Sequence, residues 1–214
     1  MSPAKHRRVW DISQKLRPSL PVWPGDTAFE QARTWQMEAG SPVNVSALTL
    51  STHSGAHADA PLHYSPDGPD IASVELEPYL GECLVVDARK AGATIEVGDL
   101  PKLGSVDRVL FRTFERFPND EWIDDTTAIA PEAIDWLAAR GVKLVGLDGP
   151  SIDPQSSKTM DAHKAVLRHD MRVLEGLVLD DVPEGHYELI ALPLPIVRGD
   201  ASPVRAILRE LPDA

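Results

Sequence analysis

The sequence predicts an α+β fold: a single domain dominated by mixed β-sheet with a few helices. Three observations carry that expectation. Short apolar runs with strand chemistry outnumber helical patterns, no repeat or linker interrupts them, and 214 residues make one ordinary domain with a substantial core.

In chain order, residues 9–13 (Val-Trp-Asp-Ile-Ser) read as a short opening strand. Pro18, Pro21, Pro24 and Gly25 then punctuate a loop. Trp23 lies in this stiff segment, where it either folds onto its own domain or is presented to a ligand at low entropic cost. Residues 43–52 mix β-branched and small polar side chains and predict a strand leading to His53. A turn-rich loop follows at 64–70. Residues 82–88 and 107–113 are runs of Val, Leu and Cys or Phe, as in buried strands. Pro131 suits the first turn of a helix over 131–140, and Gly141 suits its end. A strand at 143–147 leads into a turn with Asp148 and Asp153, which either contact the site or shape the turn, Asx-type bonding being the expected role. A helix starts near Asp161 as a cap, with Ala162, Val166 and Met171 on its apolar face and His163 in its first turn. Strands are expected at 173–179, 187–195 and 203–209. The first of these contains Glu175, whose buried charge needs a metal or a basic partner.

Composition narrows the function. Hydrophobic residues at 43% and charged residues at 25% describe a soluble globular chain, and 21 basic against 33 acidic residues give a net charge of −12. Phosphate-backbone binding is therefore not the expected task, and nucleic acid is not the expected partner. The N-terminal Lys5, His6, Arg7 and Arg8 are not followed by an apolar stretch, so no signal peptide is expected. The longest apolar run, near 189–197, holds Pro193 and Pro195 and is too short to span a bilayer. Cys83 stands alone in an apolar run, as a small core residue suited to a reducing cytoplasm.

The chemistry concentrates between His53 and His63. Three of the seven histidines and Asp59 fall here, separated almost entirely by small or inert residues. A uniform helix would turn Asp59 about 200° away from His57. Six residues of flat strand would span about 20 Å, far beyond the reach of one ion whose ligands sit about 2 Å away. The expectation is a tight loop curling after a strand, with Gly55 and three alanines giving it room and Pro61 stopping any ladder. Imidazole and carboxylate suit zinc and similar metals.

The stretch His53-Ser54-Gly55-Ala56-His57-Ala58-Asp59, followed by Pro61 and His63, resembles the motif of the metal-dependent cyclase or amidohydrolase family, His-x-Gly-Thr-His-x-Asp then Pro and His. More narrowly, residues 21–26, 174–177 and 189–194 are similar to the bacterial kynurenine formamidases, nearly in register along the whole chain. Ala56 departs from the Thr of many relatives, which puts one outer hydroxyl in doubt. The resemblance implies a swivelling β/β/α-like metal-dependent hydrolase domain over residues 1–214. It implies two zinc ions, with manganese or another divalent metal as the alternative. His53, His57 and Asp59 would hold the first and Asp59, His163 and Glu175 the second, with Asp59 bridging. It further implies cytoplasmic hydrolysis of N-formyl-L-kynurenine to L-kynurenine and formate in tryptophan degradation, by a homodimer, with Trp23 on the substrate's arene. A formamide of this type needs a nucleophile, charge relief on its carbonyl and a proton for the leaving nitrogen. Metal meets the first two needs, lowering the pKa of water from about 15.7 to near 7, and His63 is the candidate for the third. A related hydrolase of amides or of isatin-like lactams, or a non-catalytic metal-binding module, would share the motif.

Overall fold

Strands that are apolar on both faces belong in the middle of a sheet, where both faces are covered. The computed structural model describes residues 7–212 and has this organisation. Lys5 and His6 lie outside those residues. The first part of the chain supplies β1 (Val9–Asp11), β2 (Glu30–Trp35), β3 (Val45–Thr49), β4 (His57–Asp59) and the one-turn helix α1 (Pro61–Tyr64). Next come β5 (Leu80–Asp87), β6 (Thr94–Ile95), β7 (Arg108–Arg112), β8 (Ala128–Ile129), α2 (Pro131–Ala138) and β9 (Leu144–Leu147). The last part contributes α3 (Asp161–Arg168), β10 (Arg172–Glu175), β11 (Gly185–Ile190), β12 (Ala201–Pro203) and β13 (Ile207–Arg209).

Nine of these strands form one mixed sheet in the order β1-β13-β11-β5-β7-β9-β10-β4-β12. Its centre, β5-β7-β9-β10, is parallel, and both flanks are antiparallel. Leu84, Val86, Val109, Phe111, Val145, Leu147 and Val173 pack on Ile134 and Leu137 of α2 and on Ala162, Ala165 and Val166 of α3. The alternate residues Cys83, Val85, Leu110, Leu144 and Leu174 pack on the other face against Ile12, Leu177 and Leu179. The α+β expectation and the buried strands at 82–88, 107–113 and 143–147 agree with this sheet. Cys83 is fully buried and burial pushes its thiol up to about 12, consistent with a core residue. Among the described residues, no helix is long and apolar enough to cross a membrane.

Several elements differ from the sequence expectation, each for a physical reason. His57 and Asp59 do not sit on a curled loop but on β4, a strand buried between β10 and β12, so the curl is confined to the residues before it. The strand expected at 173–179 ends at Glu175, because Gly176 turns out of the ladder with φ +64°. Residues 203–209 hold the end of one strand and all of another, paired to opposite ends of the sheet. The strand near 187–195 stops at Ile190, before prolines that cannot donate to a ladder. Asp161 is the first residue of α3 rather than its cap, and Asp153 accepts the backbone N–H groups of Ala162 and His163 instead. A separate ribbon of β2 and β3 lies outside the main sheet, with β2 exposed along its whole length.

Candidate active site

Strand pairing assembles the centre. In the antiparallel register Asp59 faces Val173 and His57 faces Glu175. Directly opposed residues share one face of a sheet, so His57, Asp59 and Glu175 all project toward the side that carries α3. The first turn of α3 brings in His163. Its Nδ1 lies 2.6 Å from Asp153 Oδ2, and its Nε2 lies 3.2 Å from Asp59 Oδ2 and 3.5 Å from Glu175 Oε1. His53 Nδ1 is 3.1 Å from Asp59 Oδ1. His57 Nε2 is 3.4 Å from both Asp59 Oδ1 and Glu175 Oε2. The backbone N–H of Ile152 donates to Glu175 Oε1 at 2.8 Å. The five residues expected as metal ligands are thus gathered in one cluster.

The cluster lacks one thing. His57 Nδ1 is 2.9 Å from the Gly55 carbonyl, which can only accept, so the proton is on Nδ1 and Nε2 offers a lone pair. That Nε2 and Asp59 Oδ1 are both buried and, among the described residues, have no hydrogen-bond partner. Burial without a partner is costly for such atoms, and a shared cation removes the cost. His53, His57 and Asp59 each offer a donor atom within 4.8 Å of the others, a set suited to a divalent metal.

The titration behaviour points the same way. Burial opposes charge on His53, but Asp59 and Asp200 override it and raise its pKa to about 9. Burial opposes charge on His163 too, and Asp153, Asp59 and Glu175 hold it well above the ordinary range. Burial works against the Asp59 carboxylate, yet His163 and His53 keep its pKa well below the usual value. Without metal, protons on the histidines neutralise the buried carboxylates. A divalent cation supplies the same charge in their place.

His63 stands beside the cluster on α1, its ring centroid 4.4 Å from His53 and 5.8 Å from His163. Lost hydration lowers its pKa, with the neighbouring histidines adding to the effect, so the neutral ring is favoured. A cavity of about 450 Å³ opens over these groups and is lined by His53, His57, His63 and Glu175 together with Trp23 and Trp122. The two indoles meet edge to face at 5.5 Å, and Trp122 Nε1 donates to Gln155 Oε1 at 2.9 Å. Phe114 and Phe117 complete the apolar wall. Asp148 accepts from the backbone of Thr113 and Phe114 and so anchors this wall; burial pushes its pKa up to about 6. Sequence reasoning missed Phe114, Phe117, Trp122 and Asp200. The available signal was a long loop between β7 and β8 carrying three aromatic residues, since loops on a rigid scaffold carry binding groups.

Comparison with known proteins adds an independent line. Residues 10–154 match the Cyclase family, a span that includes His53, His57, Asp59 and His63 but ends before His163. The chain is 68% identical over 208 residues to the kynurenine formamidase of Erythrobacter litoralis (strain HTCC2594), covering 97% of this chain and 96% of that one. It is 58% identical over 207 residues to the kynurenine formamidase of Maricaulis maris (strain MCS10), covering 96% and 99%. Among solved structures, a potential metal-dependent hydrolase with cyclase activity superposes with a TM-score of 0.83 at 28% identity, covering 96% of this chain and 99% of that one. An isatin hydrolase bound to the product analogue thioisatinate gives a TM-score of 0.81 at 23% identity, covering 97% and 93%, which speaks to the fold alone.

Proposed function

Because the chain belongs to the Cyclase family and groups within it with the kynurenine formamidases, we propose that it hydrolyses N-formyl-L-kynurenine to L-kynurenine and formate. The observation that carries this reading is the pair of buried, unpartnered atoms on His57 and Asp59, of which His57 lines a cavity that Trp23 and Trp122 also line. In this reading one catalytic domain spans residues 1–214 and holds two zinc ions, or manganese in their place. His53, His57 and Asp59 would hold one ion and Asp59, His163 and Glu175 the other, with Asp59 common to both sets. When bound, the metal supplies a water nucleophile at neutral pH and a Lewis acid for the formyl carbonyl.

The remaining steps belong to the chain's own residues. Trp23 and Trp122 take the substrate's arene, an aromatic contact worth about 0.5–1.5 kcal/mol beyond the area it buries. That contact holds the anilide nitrogen on the His63 side of the cavity. His63, neutral at pH 7, accepts the proton released as water attacks and returns it to the departing aniline nitrogen. Gly55 and Asp153 keep the rings of His57 and His163 in single orientations throughout.

The cytoplasm is the proposed compartment, supported by the lone buried Cys83, which suits a reducing environment. A homodimer is the proposed state, supported by the outlying ribbon, where cross-strand partners Trp35 and Val45 are exposed together with Leu48. A monomer mass by light scattering would overturn it. The substrate assignment is tested by metal analysis of purified protein combined with a panel of N-formyl-L-kynurenine, formanilide and isatin. Bound zinc with preferred turnover of the first is expected. Turnover of isatin alone would move the chain to lactam hydrolysis, and zinc without any turnover would leave a binding module.

A further inference from the structure

We infer that Asp200 is a positioning residue that sets the ring orientation of both His53 and His63. The inference rests on the proposed hydrolysis for its kinetic part and on geometry for the rest. Asp200 immediately precedes β12, whose Ala201 pairs with Asp59 in the sheet register. Its carbonyl also accepts the Ala60 N–H at 2.9 Å, so the Asp200 backbone is tied to the C-terminal end of β4. The side chain is held as well, because Thr52 Oγ1 donates to Asp200 Oδ1 at 2.9 Å.

The other oxygen faces two imidazoles. Asp200 Oδ2 lies 3.1 Å from His53 Nε2 and 3.8 Å from His63 Nδ1. His53 already turns Nδ1 toward Asp59, 3.1 Å away. A carboxylate on Nε2 therefore fixes the proton there and leaves Nδ1 as the metal-facing lone pair, the arrangement in which a ligating histidine hands its far N–H to a carboxylate. The separation at His63 exceeds a hydrogen bond, and catalytic contacts of this kind tighten when substrate is bound. With Nδ1 directed at Asp200, Nε2 is the nitrogen left for the cavity. One carboxylate thereby couples the metal-binding ring to the proton-transferring ring.

Three variants of the full-length protein test this, Asp200→Ala, Asp200→Asn and Thr52→Val. Each is read by zinc affinity in competition with a chromogenic chelator and by kcat and KM separately. Asp200→Ala is expected to weaken zinc binding by about 10–100-fold. Its kcat should fall about tenfold or more while KM stays within about twofold, because orientation and not substrate contact is lost. Asp200→Asn, which keeps an oxygen for the ring N–H, should fall between Asp200→Ala and wild type in both measurements. Thr52→Val removes only the tether and should remain within about threefold of wild type. A folded Asp200→Ala with wild-type affinity and kcat overturns the assignment. If that variant does not fold, an Asp200→Asn indistinguishable from wild type does the same. Equal losses in Thr52→Val and Asp200→Ala would also overturn it, by tracing the effect to loop anchoring. Should wild type fail to turn over N-formyl-L-kynurenine, the substrate reading falls, and zinc affinity still decides the role of Asp200.

Discussion

Asp59 and His63 stand four positions apart and are built into different surroundings. Asp59 is wholly buried among His53, His57 and His163, while the ring of His63 opens to the cavity. Removing the Asp59 carboxylate takes away the one group common to both proposed ligand sets. Asp59→Ala is therefore expected to lose bound metal and activity together, as metal analysis of the purified variant would reveal. His63→Ala leaves the five clustered residues intact, so it should keep its metal and lose turnover by about 10²–10⁴-fold, the usual contribution of a general acid–base group. A His63→Ala enzyme of normal rate would remove the proton-transfer role. At this scale the legibility of the site followed sequence distance. His53, His57 and Asp59 could be read because they are crowded into one motif. His163 lies 104 positions from its partner Asp59, and the local pattern makes it only a histidine in a first helical turn. Resemblance to a family supplied it, and Glu175 was left open between metal and a basic partner until then. Asp200 carried no local signal, since it acquires its neighbours only through sheet register, and Trp122 was marked only by the aromatic content of its long loop.

The segments that join elements show how tightly the backbone is committed to the centre. Gly176 ends β10 directly after Glu175 with φ +64°, and a Cβ there would lie 2.6 Å from the Gly55 carbonyl oxygen. That oxygen is the acceptor for His57 Nδ1. Gly176→Ala must bear a left-handed backbone, costing about 1–3 kcal/mol, and must also push away the group that fixes the His57 ring. Lower thermal stability and weaker zinc binding are expected together. Melting curves with and without zinc would test this, and an unchanged zinc-induced rise in Tm would separate the glycine from the site. The same logic explains which elements were legible. Strands β5, β7 and β9 are apolar on both faces and announce themselves. β2 is exposed throughout and lacks any alternation, so nothing marked it as a strand. The short β4 reads as a loop from its small residues, although those residues in fact let it lie between two close neighbours. The turn between β12 and β13 falls inside a run that alternates apolar and charged residues, so one strand was expected where the chain crosses to the other edge of the sheet.

For the molecule as a whole, the centre is a store of compensated charge, and its balance predicts how stability depends on pH. In the metal-free protein, Asp59 and Glu175 are held below their ordinary pKa, and His53 and His163 above theirs. The lowered carboxylates contribute stability above the unfolded carboxylate range, and this is lost as pH falls through their folded values. The raised histidines act in the opposite sense. Their contribution is complete below the unfolded value of 6.5 and is lost as pH rises, for His53 through about 9. Metal-free protein is therefore expected to be most stable in mildly acid solution and to weaken between about pH 6.5 and 9, by on the order of 1–3 kcal/mol. Zinc removes the trend. Bound metal replaces the histidine protons as the source of positive charge, and fewer protons need displacing as pH rises, so binding strengthens over that same interval. The difference in urea midpoint between zinc-loaded and chelator-treated protein should widen from pH 6.5 to 9. Zinc uptake by metal-free protein in weak buffer at pH 7 should also release protons, which a pH indicator can follow. A metal-free midpoint that stays level across the interval, or uptake that releases no protons, would mean that the histidines do not neutralise the buried carboxylates and that the cluster is not poised for a cation.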